Sequence, residues 1–292
     1  MKIAIASGKG GTGKTFVATN LYRSLQKRAQ SVTLVDADVE VPNDSLFFNT
    51  VCKKNNTIKE LKPTVDPDKC TYCGKCAEYC NYQAIFCIPS KGVIKMLHEW
   101  CHSCGACLYA CPEGAMLATQ EEIGEVNFNQ EIREKHLLVE GRMRVTNNTA
   151  IPVIKAAIEQ AEEIASDIYL VDAPPGTSCP FIKTAELSDY IIMVSEPTPF
   201  ALNDLKLSLD TLDTLNKPYG VIINKADIGD GTMRNYLQQR GVTIIDELPY
   251  STEWAQYYAK GLIAVEHSRG AEQHFERCTD FIINRNLKEK EA

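Results

Sequence analysis

The stretch that decides the fold is Gly8-Lys9-Gly10-Gly11-Thr12-Gly13-Lys14-Thr15, which matches the pattern G-x-x-x-x-G-K-[ST]. It follows a short apolar stretch, residues 2–6, and precedes a stretch with helical spacing, residues 15–27. Glycines let backbone N–H groups turn toward phosphate oxygens, and a helix N-terminus adds the positive end of its dipole. We therefore predict that these eight residues bind a nucleotide, with Lys14 on the β- and γ-phosphates and the Thr15 hydroxyl on Mg²⁺.

The chain around this loop alternates strand-like and helix-like stretches. A strand is predicted at residues 31–35, ending at Asp36, and further strands at 137–140, 168–171, 190–194, 220–223 and 243–246. Helices are predicted between most of them, for example at 151–164 and 201–215, and near the end of the chain at 273–286. This alternation predicts an α/β domain, with a parallel sheet and helices on both faces.

A segment of different composition, residues 61–119, interrupts the α/β pattern. Within it, Cys70-x-x-Cys73-x-x-Cys76-x-x-x-Cys80 recurs 31 residues later as Cys101-x-x-Cys104-x-x-Cys107-x-x-x-Cys111. The repeat predicts a small α+β insert with two similar halves. The surrounding domain is then discontinuous and consists of residues 1–60 and 120–292.

The spacing of each cysteine run is typical of bacterial ferredoxins, in which three thiolates bind one [4Fe-4S] cluster and the fourth binds the other. We therefore assign cluster I to Cys70, Cys73, Cys76 and Cys111, and cluster II to Cys80, Cys101, Cys104 and Cys107. Zinc is the competing interpretation, because C-x-x-C pairs also suit tetrahedral zinc sites. Pro112 follows Cys111 as in bacterial ferredoxins, but Asn81 follows Cys80. The conformation of the turn near cluster II is therefore not predicted, whereas Cys80 remains a predicted ligand.

Four of the twelve cysteines lie outside these runs. Cys52 and Cys87 have no partner at ligand spacing and are interpreted as packing residues, and Cys278 as a core-facing residue of the last helix. Cys179 lies just before a predicted helix start at Pro180, where a helix N-terminus favours a reactive thiolate. Its role stays open between a small buried thiol and a functional one.

Composition and charge narrow the classes of function. The chain has 292 residues, of which 44% are hydrophobic and 24% charged, and a net charge of −7. These values are ordinary for a globular protein but unlike those of a basic nucleic-acid binder. No apolar run approaches the roughly 20 residues that span a bilayer, and the N-terminus lacks a signal-peptide pattern. We expect a cytoplasmic protein that binds neither nucleic acid nor membrane, with cysteines that hold metal rather than disulfides.

Lys9, directly after the first glycine, makes the loop resemble the deviant Walker A motif of the MinD, ParA, Mrp and nitrogenase-iron-protein class. These are P-loop NTPases of the SIMIBI type. In that class this lysine reaches the partner subunit's nucleotide. The resemblance therefore implies a nucleotide-dependent dimer, formed by two copies or with a similar ATPase, in which Lys9 acts in trans.

Two acidic stretches also resemble this class. Asp36-Ala37-Asp38 is similar to its switch I, and Asp172-Ala173-Pro174-Pro175-Gly176 is similar to its switch II, D-x-P-P-G. The resemblance implies that Thr15, Asp36 and Asp172 surround Mg²⁺ and that Asp38 orients the attacking water. It thus assigns catalytic roles to Lys9, Lys14, Asp38 and Asp172.

Asn224-Lys225-Ala226-Asp227 ends another predicted strand and matches the guanine-reading N-K-x-D motif of GTPases. In the deviant Walker class, however, an Asn at this strand end reads adenine. The resemblance therefore implies ATP rather than GTP, with Asn224 and the region of Pro249 at the base.

The resemblance covers the full chain and is to MinD-superfamily ATPases with an inserted ferredoxin domain. It implies an ATPase that couples nucleotide-driven dimer and switch changes to electron transfer through two [4Fe-4S] clusters, toward an unknown redox partner. The alternative is iron–sulfur or metallocofactor assembly, as in Mrp-like carriers, with a cluster acceptor protein as partner. A MinD- or ParA-type positioning ATPase is a third interpretation. It is less well supported, because residues 286–292 do not form a basic amphipathic membrane helix.

Overall fold

The computed structural model describes residues 1–28, 30–132, 137–145 and 149–291, with side chains as far as residue 287 in the last helix. Its strands are β1 (Lys2–Ala6), β2 (Val32–Asp36), β3 (Thr50–Val65), β4 (Ile85–Ile88), β5 (Val93–Met96), β6 (Met116–Glu131), β7 (Leu137–Met143), β8 (Ile168–Asp172), β9 (Tyr190–Ser195), β10 (Tyr219–Asn224) and β11 (Ile244–Leu248). Its helices are α1 (Lys14–Lys27), α2 (Lys75–Glu78), α3 (Ala106–Ala110), α4 (Ile151–Ala161), α5 (Cys179–Glu186), α6 (Pro199–Thr214), α7 (Thr232–Gln239), α8 (Thr252–Ala259) and α9 (Arg269–Glu291). Every predicted strand and helix overlaps one of these elements.

Among the described residues, nine strands form one sheet in the order β11-β10-β9-β1-β8-β2-β7-β6-β3. Neighbouring strands from β11 to β7 are parallel, whereas β6 is antiparallel to both β7 and β3. The predicted α/β class with a mostly parallel sheet is confirmed. Because parallel strands end at the same edge, the residues that follow β1, β2, β8 and β10 meet there, which is where ligands bind in such sheets.

Helices cover both faces of the sheet, as β1 illustrates. Ile3 and Ile5 contribute to one core together with α1 and α9, whereas Ala4 and Ala6 contribute to a second core together with α6. Side chains alternate between the two faces of a strand, and burial on both faces explains why β1 is continuously apolar. No helix in the described part of the chain is long and apolar enough to cross a bilayer.

A long antiparallel hairpin carries the cysteine-rich segment. β3 and β6 pair from Thr50 opposite Glu131 to Val65 opposite Met116, but only the part of β6 from Gly124 onward also pairs with β7. Each strand has 16 residues, or about 50 Å at about 3.3 Å per residue. The far half of the hairpin therefore extends past the end of β7, and the predicted boundaries near residues 60 and 120 fall inside its two continuous strands.

The segment held by this hairpin is small and has its own core. It contains α2, α3 and the antiparallel pair of β4 and β5. Its buried cluster is Cys76, Ile85, Cys107 and Met116. Two of these four side chains are predicted cluster ligands, so this core is built around the thiols.

Candidate nucleotide and iron–sulfur sites

The phosphate loop joins β1 to α1, and its glycines adopt backbone conformations that other residues avoid. Gly11 and Gly13 have φ angles of 82° and 94°, and a Cβ on Gly13 would lie 2.3 Å from Nδ2 of Asn224. Gly13 immediately precedes α1, and no side chain among the described residues caps that helix. The first N–H groups of α1 therefore face the loop, an arrangement that binds phosphate.

Lys14 and Thr15 bind the same carboxylate, Asp172 at the end of β8. Nζ of Lys14 lies 2.7 Å from Oδ1, and the Thr15 hydroxyl donates to Oδ2 at 2.7 Å. Burial lowers the pKa of Lys14, but the charge and hydrogen bond of Asp172 outweigh burial and hold that pKa above its ordinary value. The structure thus brings three predicted site residues together at the start of α1.

Asp36 and Asp38 lie beside this group. Asp36 is the last residue of β2, and Asp38 lies two residues further along the chain. Oδ2 of Asp38 is 4.0 Å from Nζ of Lys14, and burial raises the pKa of Asp38 to about 6. Asp36 is tied to its own loop, because its carboxylate accepts the N–H groups of Asp38, Asn43 and Asp44 at 2.8–3.1 Å. Burial, reinforced by the charge on Asp172, raises the pKa of Asp36 to about 8.

Asp44 is a buried carboxylate that sequence reasoning missed. It is 1% exposed, and neither of its oxygens has a hydrogen-bond partner among the described residues. Burial and the neighbouring Asp36 raise its pKa well above the ordinary value. Nothing in the sequence distinguishes this Asp, since its burial depends on the packing of its loop against β7.

A divalent cation fits this acidic group, because Asp44 is buried beside Asp36 without a donor among the described residues, and such a carboxylate is costly unless a cation compensates it. No three His, Cys, Asp or Glu side chains in the described ranges are placed to share one metal ion. The predicted ligands Thr15, Asp36 and Asp172 would hold Mg²⁺ together with phosphate oxygens, as is usual for Mg²⁺ in nucleotide sites.

Lys9 is paired within its own chain. Its Nζ lies 2.8 Å from Oε1 of Glu196, and Nζ of Lys225 lies 3.0 Å from Oε2 of the same carboxylate. Burial raises the pKa of Glu196, but the two ammonium groups outweigh burial and hold it below its ordinary value. Glu196, which directly follows β9, had no signal in the sequence because its importance depends on these two distant lysines.

The predicted base residues line a mostly apolar pocket of about 250 Å³. Asn224 and Pro249 lie in its wall with Phe16, Trp254 and Tyr258. Nδ2 of Asn224 donates to the Thr12 carbonyl at 2.8 Å. The side chain that would contact a base therefore also holds the phosphate loop.

Asp227, the last residue of the N-K-x-D match, does not line this pocket. Its Oδ1 accepts the N–H of Tyr250 at 2.6 Å, which holds the segment between β11 and α8 in place.

The eight repeated cysteines divide between two cavities in the insert. Cys70, Cys73, Cys76 and Cys111 line one, and Cys80, Cys101, Cys104 and Cys107 line the other. Each cavity thus contains the four thiols that spacing assigns to one cluster. Four thiols around one cavity suit a cubane, in which each thiolate binds a different iron.

The two halves of the insert also repeat their backbone conformation. Positive φ angles recur at positions 31 residues apart, in the pairs Tyr72 and Ser103, Gly74 and Gly105, and Gln83 and Gly114. Such angles are uncommon for residues other than glycine and mark turns that the surrounding structure enforces. The N–H of Ala84 donates to Sγ of Cys80 at 3.3 Å, and that of Ala115 to Sγ of Cys111 at 3.2 Å. The turn after Cys80 therefore matches its counterpart although Asn81 replaces proline.

The other four cysteines differ from one another. Cys278 is fully buried in the core, as predicted. The packing interpretation of Cys52 is wrong, because Cys52 lies exposed on the edge strand β3. Cys87 lies against the cluster I loop, with Sγ 3.9 Å from the Tyr72 carbonyl. Cys179 is exposed and is the first residue of α5, one residue before the predicted helix start.

Comparisons with known proteins agree with this geometry. A family model described as "CobQ/CobB/MinD/ParA nucleotide binding domain" matches residues 3–265. An uncharacterised protein of Methanocaldococcus jannaschii is 32% identical over 225 residues, which cover 77% of this chain and 78% of that protein. An iron–sulfur cluster carrier protein of Pyrococcus horikoshii is 23% identical over an alignment of 304 residues, covering 99% of this chain and 87% of that protein.

Among solved structures, the MinD cell division protein of Aquifex aeolicus is similar over 97% of this chain and 96% of its own, with a TM-score of 0.59 and 17% identity. At this identity the likeness shows a shared fold.

Proposed function

Because the chain belongs to the CobQ/CobB/MinD/ParA family of nucleotide-binding proteins, we propose that it is an ATPase whose nucleotide state controls electron transfer through two [4Fe-4S] clusters in its insert. One observation carries the cluster part of this proposal. Two separate cavities are each lined by the four cysteines that the ferredoxin spacing assigns to one cluster. In this proposal residues 61–119 form the ferredoxin-like domain, and residues 1–60 and 120–292 form the ATPase domain.

The residues present fit clusters in both cavities. When bound, the clusters would accept and release single electrons at potentials set by hydrogen bonds to sulfur and by solvent exposure. The chain supplies N–H donors to Cys80 and Cys111. It also buries Cys76 and Cys107 at 7% and 8% exposure, which limits water around one ligand of each cluster.

The hairpin offers a physical connection between nucleotide and clusters. β7 pairs with β6 of the hairpin on one side and with β2 on the other, where Asp36 lies opposite Glu140. The Glu140 carboxylate accepts the hydroxyl of Ser45 at 2.7 Å, so the switch I loop is bonded to the same strand. A movement of switch I would therefore be transmitted to the base of the hairpin.

Nucleotide would be bound by the phosphate loop, with Lys14 on the β- and γ-phosphates, and by the pocket beside Asn224. In the dimer Lys9 would contact the partner subunit's nucleotide. Lys9 would first have to leave Glu196, so the cis pair would hold this residue until nucleotide and a second subunit compete for it.

Cluster delivery is the second candidate function. A relative named as an iron–sulfur cluster carrier protein matches almost the whole chain, and the exposed Cys73 and Cys104 offer accessible ligands for transfer. The buried Cys76 and Cys107 and the two complete ligand sets favour stably held clusters instead.

A redox titration of anaerobically reconstituted protein, with and without MgATP, separates the candidates when apo-aconitase activation is followed in parallel. Electron transfer predicts a cluster potential or transfer rate that changes with MgATP while iron stays bound. Apo-aconitase regaining activity as iron leaves the protein would establish delivery. Potential and transfer rate unchanged by MgATP would refute nucleotide-controlled electron transfer.

A further inference from the structure

A cavity of about 390 Å³, named the joint cavity here, lies where the insert meets the nucleotide-binding part. Its insert side includes His98, Cys101 and His102. Its opposite side includes Glu40, two residues after Asp38, and Cys179 at the start of α5. A cavity of this size can hold a small molecule.

The joint cavity shares a wall with the cavity of cluster II. Cys101 and His102 line both, and the His102 ring stacks on Tyr82 with centroids 3.8 Å apart and planes 17° apart. No described residue that lines the cluster I cavity lines the joint cavity. A molecule held there would be separated from cluster II by a single layer of residues and would be farther from cluster I.

The charge of the side chains that line the cavity determines which charge a bound molecule should have. The described lining includes four carboxylates and one ammonium group, namely Glu40, Glu60, Glu99, Glu121 and Lys62. Nζ of Lys62 is 3.1 Å from Oε2 of Glu60 and 3.4 Å from the Cys101 carbonyl, so Lys62 and Glu60 compensate each other. The other glutamates, Glu40 and Glu121 among them, give the described lining an excess of negative charge, which concentrates ligands of positive charge.

The wall also contains residues next to both nucleotide-sensing segments. Glu40 follows switch I, and Cys179 follows switch II on the chain. A change in either segment would alter the shape of the cavity. Access to cluster II from this side would then depend on the nucleotide.

We propose that the joint cavity is a nucleotide-gated binding site for a small, positively charged electron carrier that exchanges one electron with cluster II. With cluster II bound, the carrier would give one electron to it or take one electron from it. No bond would form or break, and no proton would be transferred. This inference rests on the proposed function and extends it by naming the redox partner's chemical class and the cluster that it reaches.

Two viologen radicals of opposite charge test the site by stopped-flow reduction of the oxidised holoprotein. Methyl viologen radical is a cation, and the radical of the bis(sulfonatopropyl) viologen is a net anion. The test variant is Glu40→Gln combined with Glu121→Gln, and the matched control is Glu78→Gln combined with Glu276→Gln. All four glutamates are exposed, and the control pair does not line the cavity.

We expect the test variant to be reduced by methyl viologen about ten-fold more slowly than the wild type, with no slowing for the anionic viologen. The control pair should stay within about two-fold for both probes. A non-hydrolysable ATP analogue with Mg²⁺ should change the methyl viologen rate of the wild type. Equal slowing in the test and control variants, or a rate indifferent to the analogue, would overturn the inference.

These outcomes are distinct from failure of the proposed function. Wild-type protein that lacks iron and sulfide, or that does not bind MgATP, would refute the proposed function itself. Normal cluster content and MgATP binding with rates indifferent to the cavity would refute only the inference.

Discussion

Nζ of Lys14 and Oδ1 of Asp172 lie 2.7 Å apart in a site where both side chains are buried. The pair joins the start of α1 to the end of β8, and the same carboxylate also accepts the Thr15 hydroxyl. Both groups have been removed from water, so each depends on the other for compensation of its charge. We propose that a γ-phosphate and Mg²⁺ compete for these partners, so that the pair senses nucleotide.

Replacing Asp172 with Asn should reduce MgATP hydrolysis by about 100-fold, the usual loss when one preorganised electrostatic group is removed. It should also lower the free energy of unfolding by about 3–5 kcal/mol, because a buried ammonium group loses its partner. Phosphate release and urea unfolding measure the two effects. Asp210→Asn is the control, since Asp210 forms an exposed ion pair with Arg240; a similar loss in both variants would contradict the role of Asp172.

The Lys9–Glu196 pair predicts how the proposed nucleotide-dependent dimer is controlled. Lys9→Ala should leave ATP binding by the monomer intact and abolish nucleotide-dependent association, whereas Glu196→Gln should promote association because Lys9 is released from its partner. Sedimentation velocity with a non-hydrolysable ATP analogue measures both. Monomers with the analogue in the wild type, or unchanged association in Lys9→Ala, would exclude a trans role for Lys9.

The base pocket should prefer ATP. Asp227 does not line the pocket and accepts the N–H of Tyr250, so we expect its carboxylate not to read a guanine. We expect ATP to bind at least about ten-fold more tightly than GTP, a difference of about 1.4 kcal/mol, as measured by competition with a fluorescent nucleotide. Equal affinities would show that this use of Asp227 does not select the base.

Asn224→Ala should weaken nucleotide binding and loosen the phosphate loop, because the donor to the Thr12 carbonyl is lost. The loss of one such hydrogen bond costs about 1 kcal/mol, or roughly five-fold in Kd. Isothermal titration with ATP measures it, with the exposed Asn235→Ala as control. An unchanged Kd would remove Asn224 from the binding site.

The assignment of cysteines to two clusters predicts which cluster is lost when one cysteine is replaced. Cys104→Ser should lose cluster II and with it roughly half of the bound iron and sulfide, because the four thiols of each cavity act as one ligand set. Cys52→Ser should lose none, since Cys52 is exposed on β3 outside the insert. Analysis of iron and acid-labile sulfide in anaerobically purified protein measures this loss. Full iron content in Cys104→Ser would contradict the assignment of Cys104 to cluster II.

Local motifs were enough to predict the sheet core and the position of the phosphate loop, and they assign the cysteines to the same two groups that line the two cavities of the insert. Each depends on residue type and spacing along the chain. The glycine at position 13 and the 31-residue spacing of the cysteine runs can be read directly from the sequence. The backbone angles at Tyr72 and Ser103 show that the repeat extends beyond the cysteines.

The hairpin of β3 and β6 could not be predicted in the same way. β3 is an edge strand with many exposed side chains. Its sequence, residues 50–65, is therefore mostly polar and includes Pro63, and it lacks the apolar pattern of a buried strand. Its pairing with β6 joins residues that are more than fifty positions apart along the chain. Glu196 and Asp44 were missed for the same reason, since their partners or their burial come from distant parts of the chain.

Anaerobic EPR of the dithionite-reduced protein, recorded with and without MgATP, tests the coupling of nucleotide to clusters most directly. We predict signals from two reduced [4Fe-4S] clusters in one chain and a change in those signals when MgATP binds. Spectra without cluster signals, or cluster spectra identical in the two conditions, would contradict the account.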